Sequence, residues 1–91
     1  MSQLTIKAFL KQEGFNAKSF PGARGQQNTK DFLVEWMDVI YPKHLVLTAW
    51  NKTIEEMQDS IGTGERTFHI EATSRENNGK WYTSIKVWRI V

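Results

Sequence analysis

"PKHLVLTAWNKTIEEMQDSIGTG", Pro42 to Gly64, changes its period part-way along. From Lys43 to Trp50 alternate residues are alike: Leu45, Leu47 and Ala49 make one row, and His44, Val46, Thr48 and Trp50 make the other. A repeat of two is that of a strand with one face buried. The small and aliphatic row is expected in the core, and the row holding His44, Thr48 and Trp50 is expected outside. After Asn51 the apolar residues fall at Ile54, Met57 and Ile61, one side of a helix. Thr53 and Glu56 have capping-box spacing, and Gly62 and Gly64 supply the stop. A strand therefore runs straight into a short helix, and the fold turns on what flanks this pair.

Toward the N-terminus, Asp31 to Val39 reads as another strand, joined to the first through a turn at Tyr41-Pro42. Trp36 follows Phe32 and Val34 in register, which points it to the core or to the end of a barrel. Leu4, Ile6, Ala8 and Leu10 alternate with Thr5, Lys7 and Phe9, giving a strand that Gly14 ends. Between Gly14 and Thr29 lie Pro21, Gly22, Gly25 and the polar run Gln26-Gln27-Asn28, the composition of a long loop. Loops of that length in a compact domain are often functional. This one carries Lys18 and Arg24 and no acid, and one or both of Phe15 and Phe20 are expected to tuck beneath it as anchors.

Toward the C-terminus, Phe68, Ile70 and Ala72 alternate with His69, Glu71 and Thr73. Asn77-Asn78-Gly79 is a tight hairpin signal, and Trp81 to Val91 forms the last strand. Three strands, a helix and a two-stranded hairpin is the order of an OB-fold. The expectation is a mainly β, five-stranded OB-fold Greek-key barrel, with one short helix between its third and fourth strands. Its 91 residues are expected to form a single domain spanning 1–91.

Composition narrows the function. There is no cysteine, so neither a disulfide framework nor a Cys metal site exists. Twelve Lys and Arg against ten Asp and Glu leave a net charge of +2, a weakly basic balance. The opening MSQLTIKAFLKQ alternates and is not expected to be a signal peptide. No stretch approaches the roughly 20 apolar residues that cross a bilayer. A cytoplasmic protein of a bacterium or a phage-infected cell, away from membranes, is the expectation. Catalysis finds little footing. His44 and His69 lie on different strands, no ligand set converges in sequence, and no serine sits in a nucleophile elbow. Gly22-Ala23-Arg24-Gly25 does not open a helix after a strand, so it is no phosphate loop. No enzyme activity, metal or cofactor is expected.

"PKHLVLTAWNKTIEEM" together with "GERTFHIEATSRENNGKWYTSIKVW" resembles the second half of bacterial single-stranded DNA-binding proteins of the SSB type. The shared pattern is an aromatic ending a strand (Trp50), a short helix, a "V-x-I-E-G"-like strand (Phe68–Ala72), a basic hairpin and a "Y-T-T"-like stretch (Tyr82–Ser84). "DFLVE" at 31–35, "YPK" at 41–43, Trp50, "IEATSRE" at 70–76 and "NGKWYT" at 78–83 also resemble a small single-domain bacterial and phage family of unassigned function. The likeness covers residues 30–91 well and residues 1–29 loosely. It implies an OB-fold and, by analogy, single-stranded nucleic acid binding. Trp50 and His44 fall where the SSB family has base-stacking aromatics, although an imidazole stacks less well than an indole. SSB proteins also extend past their last strand to an acidic, partner-recruiting tip. This sequence runs to Val91, so recruitment is expected through the barrel itself.

Single-strand binders need flat side chains for bases and cations for phosphates. The candidate stackers are Trp50, Trp81, Tyr82, Trp88 and His44. Trp50 has the alternative of packing on the following helix, His44 of being a solvated strand residue, and Trp88 of packing at the barrel end. In the last strand Tyr82, Ser84, Lys86, Trp88 and Ile90 form the expected outer row, and Thr83, Ile85 and Val87 the core row. Lys18, Arg24, Arg75, Lys80 and Lys86 are the candidate phosphate contacts, the first four lining one groove. Glu35 and Glu76 are expected on or near the same face, opposing phosphate. The reading is non-sequence-specific single-stranded DNA binding, as an accessory of replication, recombination or repair, with RNA left open as the strand. The alternative is an OB-fold protein-interaction module or a subunit of a larger assembly. Homo-oligomerisation is open.

Overall fold

The computed structural model describes residues 4–38 and 40–91, with Asp38 described through its backbone alone. The elements in order are β1 (Leu4–Leu10), β2 (Phe15–Gly22), β3 (Gly25–Asp38), β4 (Tyr41–Trp50), α1 (Lys52–Ser60), β5 (Glu65–Asn77) and β6 (Lys80–Ile90). β1 pairs antiparallel with both β5 and β3, β3 with β4, and β5 with β6, while β4 and β6 run parallel. Followed from β1 through β5, β6, β4 and β3, the pairings return to β1, so five strands form a closed ring. Among the described residues β2 pairs with β3 alone and hangs on the outside as a sixth strand.

The ring closes around most of the rows that alternation pointed inward; Thr83, expected in the core row, is exposed, because it pairs with Ser74 where the β5–β6 hairpin extends beyond the buried core. Ala8 and Leu10, Phe32 and Val34, Leu47 and Ala49, Phe68 and Ile70, and Val87 are buried together. Met57 of α1 joins them, with Ile54 and Ile61 packed alongside. The helix follows β4 and so covers the end of the ring where β4 finishes. Gly62, at φ 74°, turns the chain out of the helix, and its N–H bonds the carbonyl of Leu10 at 2.9 Å. Trp36 is half-buried against the same core.

The expectations change at five places. Among the described residues there are six strands, and the helix lies between the fourth and fifth in chain order. The extra strand comes from the predicted loop: residues 15–38 form a hairpin, turning at Ala23-Arg24 with Gly25 at φ 103°. Every residue of β2 is exposed, so no buried row marks it in the sequence. Tyr41 and Pro42 belong to β4, paired with Asp38 and Met37, and the chain reverses before them; Val39, placed in the preceding strand, lies outside the described residues. The Thr53–Glu56 capping box does not form, because Asn51 is the N-cap. Asn51, at φ 51°, instead accepts the Asn28 N–H on its Oδ1 (3.0 Å) and donates from Nδ2 to Gln27 Oε1 (2.8 Å), tying the helix start to β3. Finally, pairing slips between His69 and Ile70, leaving Trp88 as the extra residue of a β-bulge. The bulge resets the alternation, so Ile90 packs on the core instead of continuing the outer row.

Candidate nucleic-acid interface

Residues directly opposite in a ladder share a face of the sheet. The register therefore assigns the outer face without ambiguity. Asp31, Leu33 and Glu35 of β3 stand opposite Thr48, Val46 and His44 of β4, and Thr29 stands opposite Trp50. Lys18 and Phe20 of β2 stand opposite Thr29 and Gln27. Thr48 neighbours Lys86 of β6, which in turn faces Glu71 of β5; beyond it come Thr73 opposite Ser84 and Arg75 opposite Tyr82.

One cluster stands out on this face. The Phe20 ring meets the Trp50 ring edge-on, with centroids 5.5 Å apart and planes at 89°. The Lys86 Nζ lies over the Trp50 ring, 5.5 Å from its centroid. Strands from three parts of the chain thus bring together two aromatics and a cation. Phe20 is 38% exposed, not tucked beneath a loop. Phe15 is likewise half-exposed on β2. The sequence signal that could have found Phe20 is its even spacing from Lys18 and Gly22 within an acid-free stretch, a pattern that composition disguised as loop.

The two hairpins leave the ring at opposite ends of this face. β6 runs parallel to β4, so the β5–β6 turn lies beside the start of β4. β3 pairs Thr29 with Trp50, so the β2–β3 turn lies past the end of β4. Lys18 and Arg24 are thereby at the Trp50 end, and Arg75 and Lys80 at the other; the four do not line a common lip, and the aromatic face runs between them. Arg75, Asn77, Tyr82 and Ser84 frame a shallow cleft at the far end. The β5–β6 turn is built by Asn78 at φ 55° and Gly79 at φ 80°, as the Asn-Asn-Gly signal indicated.

The remaining candidates divide. Trp88 is 37% exposed and packs against the His69 ring, with centroids 5.2 Å apart. Trp81 is opposite Glu76, on the other face of the hairpin from Tyr82 and Arg75. It is 69% exposed, and it does not join the cluster. Glu76 leaves the face with it. Glu35 remains on the face, but its carboxylate accepts from Lys11 Nζ at 3.0 Å and meets His44 Nε2 at 3.1 Å. The Lys11 hydrogen bond first, and the His44 contact second, hold its pKa below the ordinary carboxylate value. Asp31 is also engaged, accepting from Thr48 Oγ1 at 2.8 Å and from Asn16 Nδ2 at 3.3 Å. Among the described residues no group of three His, Asp or Glu side chains could hold a metal, and no helix is long and apolar enough to cross a membrane.

A mainly β ring with one helix and this strand order is an SSB/OB-like fold, and solved structures agree. The SSB domain of a Synechococcus sp. protein superposes with a TM-score of 0.64 at 16% identity, covering 99% of this chain and 93% of that one. A small single-stranded DNA binding protein from Mycoplasma pneumoniae superposes at 0.56 with 8% identity, covering 100% and 92%. At such identities the likeness is one of fold. In sequence, the family model of the domain of unknown function DUF3127 matches residues 4–91, and the chain belongs to that family. No curated protein matches it.

Proposed function

We propose that this chain binds single-stranded DNA without regard to sequence, across the outer face of β3, β4 and β6. The observation that carries the reading is the Phe20–Trp50–Lys86 cluster, in which a half-buried Trp50 is flanked by exposed Phe20 and Lys86 on a face with a basic hairpin at each end. Stacking on an aromatic is indifferent to base identity because every base has a π-face, and cations along the path hold the phosphates. Trp50, Phe20, Trp88 and Tyr82 are the stackers, with His44 at the margin. Lys18 and Arg24 at one end, Lys86 in the middle, and Arg75 and Lys80 at the other hold phosphate. The fold likeness to a protein described as a small single-stranded DNA binding protein supports the assignment. In this reading residues 1–91 act as one OB unit, a five-stranded barrel with β2 added, in an accessory role in replication, recombination or repair. RNA strands offer the same π-faces and phosphates and compete for the site.

The test is fluorescence anisotropy of labelled oligo-dT titrated with protein at low and moderate salt. Binding that weakens steeply with salt is expected, as is a loss of roughly five- to a hundredfold in Trp50→Ala, the equivalent of about 1–3 kcal/mol per stacked base. Saturable binding that neither salt nor Trp50→Ala affects would overturn the assignment.

One observation favours a second use of the molecule. Trp81 is largely exposed on the reverse of the β5–β6 hairpin, away from the stacking cluster. An exposed tryptophan off the ligand face suits a protein contact, where aromatics are enriched. Trp81→Ala that weakens self-association or partner capture while leaving DNA affinity intact would support it.

A further inference from the structure

The stacking site at Trp50 is occupied in the free protein by a side chain of the same protein. The Lys86 ammonium lies over the Trp50 ring, while Phe20 meets that ring edge-on. Among the described residues no carboxylate pairs with Lys86 within ion-pair distance, although Glu71 is its direct cross-strand neighbour. The lysine therefore rests on the indole, attracted by the negative ring face. A base cannot stack where the ammonium sits.

We propose that Lys86 is the gate of the Trp50 site: an incoming base displaces it from the indole, and it moves to the phosphate beside that base. The inference rests on the nucleic-acid reading above. It adds a specificity that stacking alone lacks. A free nucleoside or other neutral aromatic must displace the cation and gives it nowhere better to go. A phosphodiester strand supplies base and anion together, so displacement and ion pairing occur in one event. The site thereby selects strands over single flat molecules. Lysine suits the task because its compact ammonium sits on a flexible four-carbon stem, so it can exchange partners without moving the backbone.

Two measurements on the whole chain test this. First, NMR of the Lys86 ε-methylene: its resonances are expected upfield in the free protein, shielded by the Trp50 ring, and at ordinary lysine positions once saturated with oligo-dT. Trp50→Leu, which removes the ring, identifies the shielded signal. An unshielded Lys86 in the free protein, or shielding that persists at saturation, overturns the gate. Second, the salt dependence of oligo-dT binding in Lys86→Met: the slope of log affinity against log salt becomes shallower by roughly 0.7, one single-strand phosphate contact. The low-salt affinity falls about three- to tenfold. Lys86→Arg is expected to restore the slope while holding the indole at least as firmly. An unchanged slope in Lys86→Met, with an unchanged thermal midpoint, also overturns the gate and leaves the binding assignment standing. Failure of the wild-type chain to bind oligo-dT at all removes both together.

Discussion

Gly14 has no unusual torsion, yet its neighbours leave no room for a side chain. A Cβ there would meet the Phe32 ring at 2.8 Å and Lys30 Cε at 2.8 Å. Phe32 is fully buried at the centre of the core, so it cannot yield freely. Gly14→Ala is expected to destabilise the fold by about 1–3 kcal/mol, the range for overpacking, as read by chemical denaturation. Glu35 makes a different prediction. Its pKa is depressed by Lys11 and then His44, so its contribution to stability is present above the ordinary carboxylate value and is lost as pH falls through the folded-state value. The stability difference between wild type and Glu35→Gln should therefore shrink as pH drops below about 4. At neutral pH Glu35→Gln also unmasks Lys11 on the candidate face, and oligo-dT binding should tighten about twofold and become more salt-dependent. Binding weakened by that change would show that Glu35 orders the face instead of opposing phosphate.

At the scale of elements, β2 carries the largest lesson. All of its residues are exposed, and among the described residues its outer edge is unpaired. Asn16 at φ 53°, Lys18 and Pro21 interrupt that edge, the features that discourage strand-to-strand aggregation. Pro21, with Gly22, Gly25 and the polar run Gln26-Gln27-Asn28, made the segment read as loop. Buried rows were legible in the sequence because burial imposes a period: the inward residues of β1, β3, β4 and β5, and Ile85 and Val87 of β6, follow from alternation. So did the helix face at Ile54, Met57 and Ile61, and the Asn78-Gly79 turn. Where burial imposes nothing, as in β2, or where one extra residue shifts the phase, as at Trp88, alternation was silent or misleading. The candidate site shows the same divide. Trp50 and Lys86 were legible as outward residues of well-patterned strands. Phe20 was not, because its strand was not, and naming Trp81 as a stacker beside Tyr82 did not follow the parity that sets these neighbours on opposite faces of the hairpin. If β2 contributes to binding as read here, Phe20→Ala should weaken oligo-dT binding by roughly fivefold or more while leaving stability near wild type, since half-exposed stacking is worth about 1 kcal/mol. Isothermal titration alongside thermal melting checks both halves.

At the scale of the molecule, a closed ring solves two problems at once. It joins strand edges that would otherwise be free, and it presents a continuous outer face across β3, β4 and β6 on which groups from distant parts of the sequence meet. The helix covers one end of the ring, and the two hairpins extend the face at either end without being needed to close the core. That division lets the core be read from pattern while the candidate face depends on register. The most direct test of the whole account is intrinsic tryptophan fluorescence during titration with oligo-dT at low salt. Saturable quenching that is reversed by added salt, and that falls sharply in Trp50→Leu, is the predicted result. Fluorescence unmoved by oligo-dT at high micromolar protein would contradict it.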